Sequence, residues 1–290
     1  MVEINGKTEL YGLIGSPVEH SLSPFIHNFF AKHTGKNIAY TAFSVEQNDL
    51  KYAIKGAYCL GIKGLNITMP YKQDIIPLLN ETDEAAKRLS SVNTIKYVNN
   101  GYMGYNTDIY GFAKTLEKHG IDIYGERVVI LGAGGSAASA AFASAELGAS
   151  EIIIINKTSV NANKLAVRIK KHYNISVRCE NFEEFFKIMH NKEALILVQT
   201  TPVGFSELKE KSPVMDMRIF EYVKYAIDFI YSPYETVFLK MAKNAGCVSI
   251  NGIDILIFQA AAAYEIWTGE KISCKCTEYL SMKIKTCIQN

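Results

Sequence analysis

The stretch VVILGAGGSAASA, residues 128–140, constrains this chain more than any other. Four consecutive valine, isoleucine or leucine residues predict a buried strand, Gly132 and Gly134 a tight turn, and the alanine- and serine-rich continuation a helix. In such a unit the first glycine permits the turn and the second lets the backbone approach a pyrophosphate. A small third residue, here Ala137, lets the helix pack close to the sheet. The unpaired N–H groups of the first helical turn then face the anion. Gly132, Ala133, Gly134, Gly135, Ser136 and Ala137 are therefore candidate dinucleotide contacts. A close-packed strand–turn–helix without a ligand gives the same pattern. The second strand that follows, in EIIIINKT from residue 151, favours the nucleotide reading.

The rest of the chain continues the alternation. ELYGLIG is strand-like, SPFIHNFFAKHTG has helical spacing with a stop at Gly35, IAYTAFSV alternates as a half-buried strand, and GIKGLNIT follows a further helical segment. TIKYVNNGYMGYN turns at Asn100-Gly101, a pair compatible with a type I′ hairpin. After the glycine turn come ALILVQTTPVG, YAIDFIY and VSINGID. Such alternation predicts an α/β protein with parallel sheets covered by helices. A chain of 290 residues suits two domains of roughly 100–200 residues each, and the change of motif puts a boundary near residue 108.

Bulk composition narrows the classes. Charged residues make up 21% and the formal charge is +2, so neither nucleic acid nor a membrane surface is an expected partner. The first residues lack a basic and apolar leader pattern, and no run approaches ~20 apolar residues, which leaves a cytoplasmic globular protein as the expectation. Of the six cysteines only Cys274 and Cys276 are close, a poor zinc pattern, so no metal is expected and reduced thiols are the simpler reading. His20 and His27 lack ligand partners at metal spacing and are assigned structural roles.

The end of the second strand bears on which dinucleotide is bound. Sites for an unphosphorylated ribose usually place a carboxylate there, whereas this chain has Asn156, Lys157 and Thr158. A lysine with neutral donors would hold a 2′-phosphate, which favours NADP(H). A solvated lysine at a strand end fits the sequence equally well.

Taken in order, IGSPVEHSLSPFIHN, GLNITMPYK, SVNTI, GYNTDIYG, LGAGGSA, NKT, TTPVG, DFIYSPYETVFL and NGIDILIFQAAAAYEIWTG resemble the shikimate dehydrogenase family over nearly the whole chain. The resemblance implies NADPH-dependent, reversible reduction of 3-dehydroshikimate to shikimate, a small-molecule substrate, and a monomer or homodimer. It implies two domains with the site in the cleft between them. The expected substrate-binding domain is an open α/β unit of residues 1–107 plus 246–290. The expected cofactor domain is a Rossmann-like doubly wound parallel sheet of residues 108–245. In the family's pattern Lys72 and Asp108 are catalytic, Thr107 and Tyr231 are substrate contacts, and Thr200 and Gly252 join the cofactor site.

The substrate's chemistry agrees with the polar residues at these motifs. A polyhydroxylated cyclohexene carboxylate needs hydroxyl and amide partners, and Ser21, Ser23, Asn66, Thr68, Asn93 and Gln259 supply them. Ser21 and Ser23 alternate in an extended segment, and Asn66 and Thr68 lie two apart on a strand, so each pair shares a side. Helix capping before Pro24 is an equal reading for Ser23 and a weaker one for Ser21. Lys72 follows Met69-Pro70 at the end of that strand, and Asp108 is its expected carboxylate partner in proton transfer to the ketone oxygen. An interdomain ion pair with no catalytic part is the alternative. Trp267 is expected in a helix core.

Three positions depart from the family's pattern. Asn161 stands where an arginine is common, which weakens the phosphate clamp, although Lys164 lies one turn further on. Gln199 replaces an asparagine before TTP, and Ile255 a methionine. None of these removes a proton-transfer group, but each bears on cofactor affinity or choice. A quinate/shikimate enzyme of broader cofactor use, and a dinucleotide sensor without catalysis, are the rival readings.

Overall fold

The computed structural model describes residues 4–181, 195–214 and 216–289. In chain order it contains β1 (Glu9–Gly15), α1 (Ser23–Thr34), β2 (Ile38–Ser44), α2 (Leu50–Cys59), β3 (Gly64–Ile67), β4 (Glu81–Thr82), α3 (Glu84–Leu89), β5 (Thr94–Val98), β6 (Gly101–Tyr105) and α4 (Asp108–Lys118). Then follow β7 (Arg127–Leu131), α5 (Gly135–Glu146), β8 (Glu151–Ile155), α6 (Ser159–His172), β9 (Ser176–Glu180), β10 (Leu195–Gln199), β11 (Val223–Asp228), α7 (Val237–Asn244), β12 (Val248–Ile250), α8 (Ile253–Thr268) and α9 (Cys274–Gln289). These elements fall into two compact units, Met1–Thr107 with Ile257–Leu280, and Asp108–Leu256 with Ser281–Asn290.

The first boundary falls after Thr107, while the return to the first unit comes at Ile257 and not at residue 246. The reason lies in pairing. β12 adds in parallel to β11 at the edge of the second sheet, so the segment before α8 stays with that unit. Ser281 donates to Asp254 at 2.9 Å, which keeps the last turns of α9 there as well.

The first unit holds a six-stranded sheet of order β2-β1-β3-β5-β6-β4. It is mixed, not parallel throughout. β1 runs parallel to β2 and β3, but β5 is antiparallel to both β3 and β6. The hairpin at residues 98–101 makes the β5–β6 pair antiparallel, since a two-residue connection can only join antiparallel strands. Its loop residues are Asn99 and Asn100, and positive φ falls on Asn100 (69°) and Gly101 (147°). The turn is thus shifted by one residue from the type I′ geometry that Asn-Gly suggests. α1 ends as its sequence predicts, on Gly35 in the left-handed region.

The second sheet, β12-β11-β10-β7-β8-β9, is parallel at every pairing. Counted from β7 within the unit, the order is 3-2-1-4-5-6 read from the β9 edge, the doubly wound Rossmann arrangement. Val128–Leu131, Ile152–Ile155 and Leu195–Val198 are all buried, because helices cover both faces of a parallel sheet. Each such aliphatic side chain contributes about 1.5–3 kcal/mol by leaving water. The winding reverses between β7 and β10, so the glycine turn that follows β7 opens at the switch point.

Candidate active site

In the first unit the predicted polar residues form one hydrogen-bonded network beneath the ends of β3 and β5. Asn66 on β3 accepts from the Tyr40 hydroxyl at 2.7 Å and donates to Thr94 Oγ1 at 3.1 Å. Asn93 is the hub. Its Oδ1 accepts from the Thr107 backbone N–H at 2.8 Å and from Thr94 Oγ1 at 3.1 Å, and its Nδ2 donates to Thr107 Oγ1 at 3.0 Å and Gln259 Oε1 at 3.5 Å. Asn66, Asn93, Thr94, Thr107 and Gln259 are all buried. Such groups are stable in a core only when hydrogen-bonded, and the mutual bonds also fix their rotamers. Gln259 enters on α8, whose residues from Ile257 return to this unit.

Around this network lie Ser21, Ser23, Thr68 and Lys72. Ser23 opens α1 and is buried, with Leu22 at the N-cap and no side-chain cap bond. Capping therefore does not explain Ser23. It is Ser21 that makes a local turn bond, its Oγ accepting from the Ser23 N–H at 3.2 Å. Burial raises the Tyr40 phenol well above its usual range, with the Ser23 hydroxyl opposing the rise, so Tyr40 is a neutral donor to Asn66. Thr68 is half-buried beside Gly15, where a Cβ would meet its methyl group. Lys72 is half-buried after a cis Met69–Pro70 bond, and its carbonyl accepts from Val92 N–H at 2.8 Å, which ties it to the segment that carries Asn93 into β5.

His27 is buried and stacks on Tyr40 at 4.3 Å between ring centroids. Burial lowers its pKa to about 3, so it is a neutral aromatic wall, in keeping with a structural role. His20 is exposed. Trp267 is buried as expected and donates Nε1–H to Ile95 O at 2.9 Å.

The second unit carries the glycine turn. Gly132 has φ of 111°, and a Cβ there would sit 2.7 Å from Thr200 Oγ1, so both conformation and space require glycine. Gly134 caps α5 without a side chain, and a Cβ there would meet nothing within 4 Å. The first N–H groups of α5 are thus uncovered beside an open space of the kind a pyrophosphate occupies. Ala133, Gly135 and Ser136 are partly accessible around that opening, whereas Ala137 is fully buried and serves the helix–sheet contact. Thr200 is fixed by its hydroxyl bond to Leu131 O at 2.6 Å. Gly252 is buried where a Cβ would strike the Phe229 and Asp228 carbonyls.

Beyond β8, Asn156 donates to Thr158 O at 2.8 Å and closes a tight turn into α6. Lys157, Thr158, Asn161 and Lys164 are all exposed. Asp108 opens α4 and is buried, and Tyr231 is half-buried after β11. Gln199 is fully buried and braces the following loop, accepting from Thr201 N at 2.9 Å and donating to Val203 O at 2.7 Å. Ile255 is buried at the start of α8.

Sequence reasoning missed three members of these networks. Tyr40 and Thr94 looked like alternating strand residues, and only their polar tips join the amide network. Asp228 ends the buried strand YAID, an acid where an apolar residue is usual, which was the available signal. It accepts from Ile230 N at 3.0 Å and Thr236 Oγ1 at 2.6 Å, and burial raises its pKa to about 7 against those bonds. Among the described residues there is no group of three or more His, Cys, Asp or Glu side chains placed to hold a metal ion. No described helix is long and apolar enough to cross a membrane.

The strand order, the glycine turn at the switch point and the uncovered start of α5 define the class, a two-unit α/β protein with a Rossmann-like nucleotide-binding sheet. Residues 13–95 match the family model described as the shikimate dehydrogenase substrate binding domain. A shikimate dehydrogenase (NADP(+)) from Methanococcus maripaludis is 37% identical over 92% of this chain and 94% of its own. A crystal structure of a shikimate dehydrogenase in complex with NADP+ superposes with a TM-score of 0.85 at 35% identity, covering 97% of each chain. The Listeria monocytogenes shikimate 5-dehydrogenase, in complex with shikimate and NAD, gives 0.85 at 29% identity over 96% of this chain and 97% of its own. The chain belongs to the shikimate dehydrogenase family.

Proposed function

We propose that the chain catalyses the reversible, NADPH-dependent reduction of 3-dehydroshikimate to shikimate, on the route to chorismate and the aromatic amino acids. The observation that carries this reading is the buried amide and hydroxyl network of Asn66, Asn93, Thr107 and Gln259, most of it within or beside the segment matching the family's substrate-binding model. In this reading the first unit binds substrate and the second binds NADP(H). Ser21, Ser23, Asn66, Thr68, Asn93, Thr107, Tyr231 and Gln259 hold the substrate's hydroxyl and carboxylate groups. Amides serve both as donors and acceptors, so one network suits a ligand rich in hydroxyls.

When bound, NADPH would supply the hydride for the carbonyl carbon. The carbonyl oxygen must then gain a proton, and Lys72 is the group we assign to give it, returning to its ammonium form from solvent. In the oxidative direction Lys72 removes the alcohol proton. Asp108 is assigned to work with it as its carboxylate partner in proton transfer. Gly132, Ala133, Gly134, Gly135 and Ser136 present backbone N–H groups to the pyrophosphate, with Ala137 packing the helix behind them. Thr200 and Gly252 complete the cofactor residues, and Asn156, Lys157 and Thr158 meet the 2′-phosphate.

The test is an assay of purified protein with shikimate and NADP+, followed by absorbance of the reduced nicotinamide. Wild type turns over, and Lys72→Ala lowers kcat by roughly 10²–10⁴ with little change in KM, because proton transfer acts in the transition state. Unchanged turnover in that variant would remove the mechanism, and an inactive wild type would remove the assignment. Lys157 has no second cation beside it at Asn161, so broader cofactor use is the second reading, distinguished by kcat/KM for NADP+ and NAD+.

A further inference from the structure

A pocket of about 400 Å³ in the first unit lies away from the amide network. Its walls include Tyr11, Lys36, Lys63, Lys96, Tyr97 and Trp267. Lys63 immediately precedes β3, and Lys96 pairs with Gly64, the first residue of β3. The pocket therefore sits at the amino end of that strand, whereas Asn66 and Thr68 are toward its carboxyl end, about 10 Å or more along the chain.

The charges on these walls are unbalanced. Lys36 is paired with Glu270 at 3.0 Å, and Glu9, the acid on the wall, accepts from Tyr11 OH at 3.1 Å. Lys96 donates to Ile266 O at 2.6 Å, and Lys63 lies 5.0 Å from the centroid of the Tyr97 ring. Neither Lys63 nor Lys96 has a carboxylate within ion-pair distance among the described residues, so two half-buried ammonium groups share this opening. Their positions are fixed by the backbone. Lys63 N donates to Leu10 O at 2.8 Å and Lys63 O accepts from Tyr97 N at 2.9 Å, which clamps it between β1 and β5.

The aromatic walls are equally rigid. Trp267 is held by its bond to Ile95 O and lies 5.1 Å from Tyr11 between centroids. Tyr97 stacks on Tyr58 at 4.7 Å. Fixed aromatic walls with adjacent cations suit a flat ligand carrying a negative group, since contact with the ring rims and charge-assisted bonds act on opposite ends of it. The volume lies at the lower end for small-molecule sites and admits a single ring with its substituents.

We propose that this pocket is a second ligand site, separate from the substrate residues, and that it binds a monocyclic aromatic carboxylate with its carboxylate at Lys63 and Lys96 and its ring against Tyr11 and Trp267. Trp267 is the chain's only tryptophan, so its fluorescence reports occupancy directly. The experiment titrates the full chain with benzoate, with cyclohexanecarboxylate and inorganic phosphate as comparators, in the presence and absence of saturating shikimate. Benzoate should change the Trp267 signal saturably, more tightly than either comparator, and shikimate should leave that titration unaltered. Lys63→Gln and Lys96→Gln should each raise the benzoate Kd by about 10–100-fold, the loss of one charge-assisted bond, with shikimate turnover retained. Lys63→Gln disturbs no side-chain hydrogen bond in the structure and keeps the test open should Lys96→Gln not fold. The proposal is overturned by a linear response to benzoate, by phosphate or cyclohexanecarboxylate binding as tightly, by displacement with shikimate, or by a Kd that Lys63→Gln leaves unchanged.

Discussion

Asp228 gives the sharpest physical test of the second unit. Its carboxylate is fully buried at the end of β11, with the Ile230 N–H and the Thr236 hydroxyl as its hydrogen-bond donors among the described residues, and burial raises its pKa to about 7 from an ordinary 3.8. Between those two values the folded chain binds a proton that the unfolded chain has released, so stability falls as pH rises through the window. The contribution is fully present below about pH 4 and lost above about pH 7. At 1.36 kcal/mol per pKa unit the loss between pH 5 and pH 8 is on the order of 2.5 kcal/mol. Asp228→Asn does not titrate and lacks this slope. At pH 8 it gains by losing a buried charge, against the cost of an amide facing two donors. The assay is urea unfolding of both proteins across that range by far-UV circular dichroism, because the single tryptophan lies in the other unit. Titrations elsewhere cancel in the difference. Parallel stability curves, or a wild type that gains on the variant as pH rises, would refute the reasoning.

Asn93→Ala should destabilise the first unit by about 2–4 kcal/mol, since it strands the Thr107 N–H in the core and removes one bond of the Thr94 hydroxyl, which keeps its contact with Thr107 Oγ1; Trp267 fluorescence during urea unfolding measures it. Lys157→Ala should reduce the NADP-over-NAD ratio of kcat/KM by about 10–100-fold, chiefly through KM for NADP, and an unchanged ratio would show that Lys157 does not read the phosphate. Asp254 is pushed up by burial but held down to about 2 by bonds from His119 at 2.8 Å and Lys118 at 2.7 Å. Its stabilisation is present above about pH 4 and lost as pH falls toward 2, so Asp254→Asn should cost about 2 kcal/mol at neutral pH and progressively less in acid, read from urea midpoints.

Much of the second unit was legible because each of its signals is local. The run from Val128 to Ala140 contains its own strand, turn and helix, and a parallel sheet buried on both faces writes itself as unbroken aliphatic segments. The first unit was less legible. Alternation located β1, β2 and β3, yet it carries no information on strand direction, and the antiparallel β5 and β6 followed from a turn whose loop residues lie one position earlier than the Asn-Gly pair implied. Polar residues such as Asn66 and Asn93 stood out in the sequence. Tyr40 and Thr94 did not, because a residue that fits a strand by shape conceals the use of its hydroxyl until the neighbours are known. The return point at Ile257 was missed for a related reason, since a three-residue edge strand is too short to show which sheet it joins.

The first unit is completed by a segment made late. Trp267 packs where a Cβ on Gly64 would otherwise stand and bonds Ile95, so α8 covers one face of β3 and β5. On a ribosome roughly 150 residues intervene between Thr107 and that helix. At ~5–20 residues per second, roughly 8–30 s pass before the cover arrives. During that interval the nascent strands expose apolar surface and a free tyrosine face at Tyr11, and by its end the second unit has all its strands from β7 to β12 in hand. The unit that begins first in synthesis is therefore covered only after every strand of the second has been made, and it is the early strands that gain from a chaperone's protection.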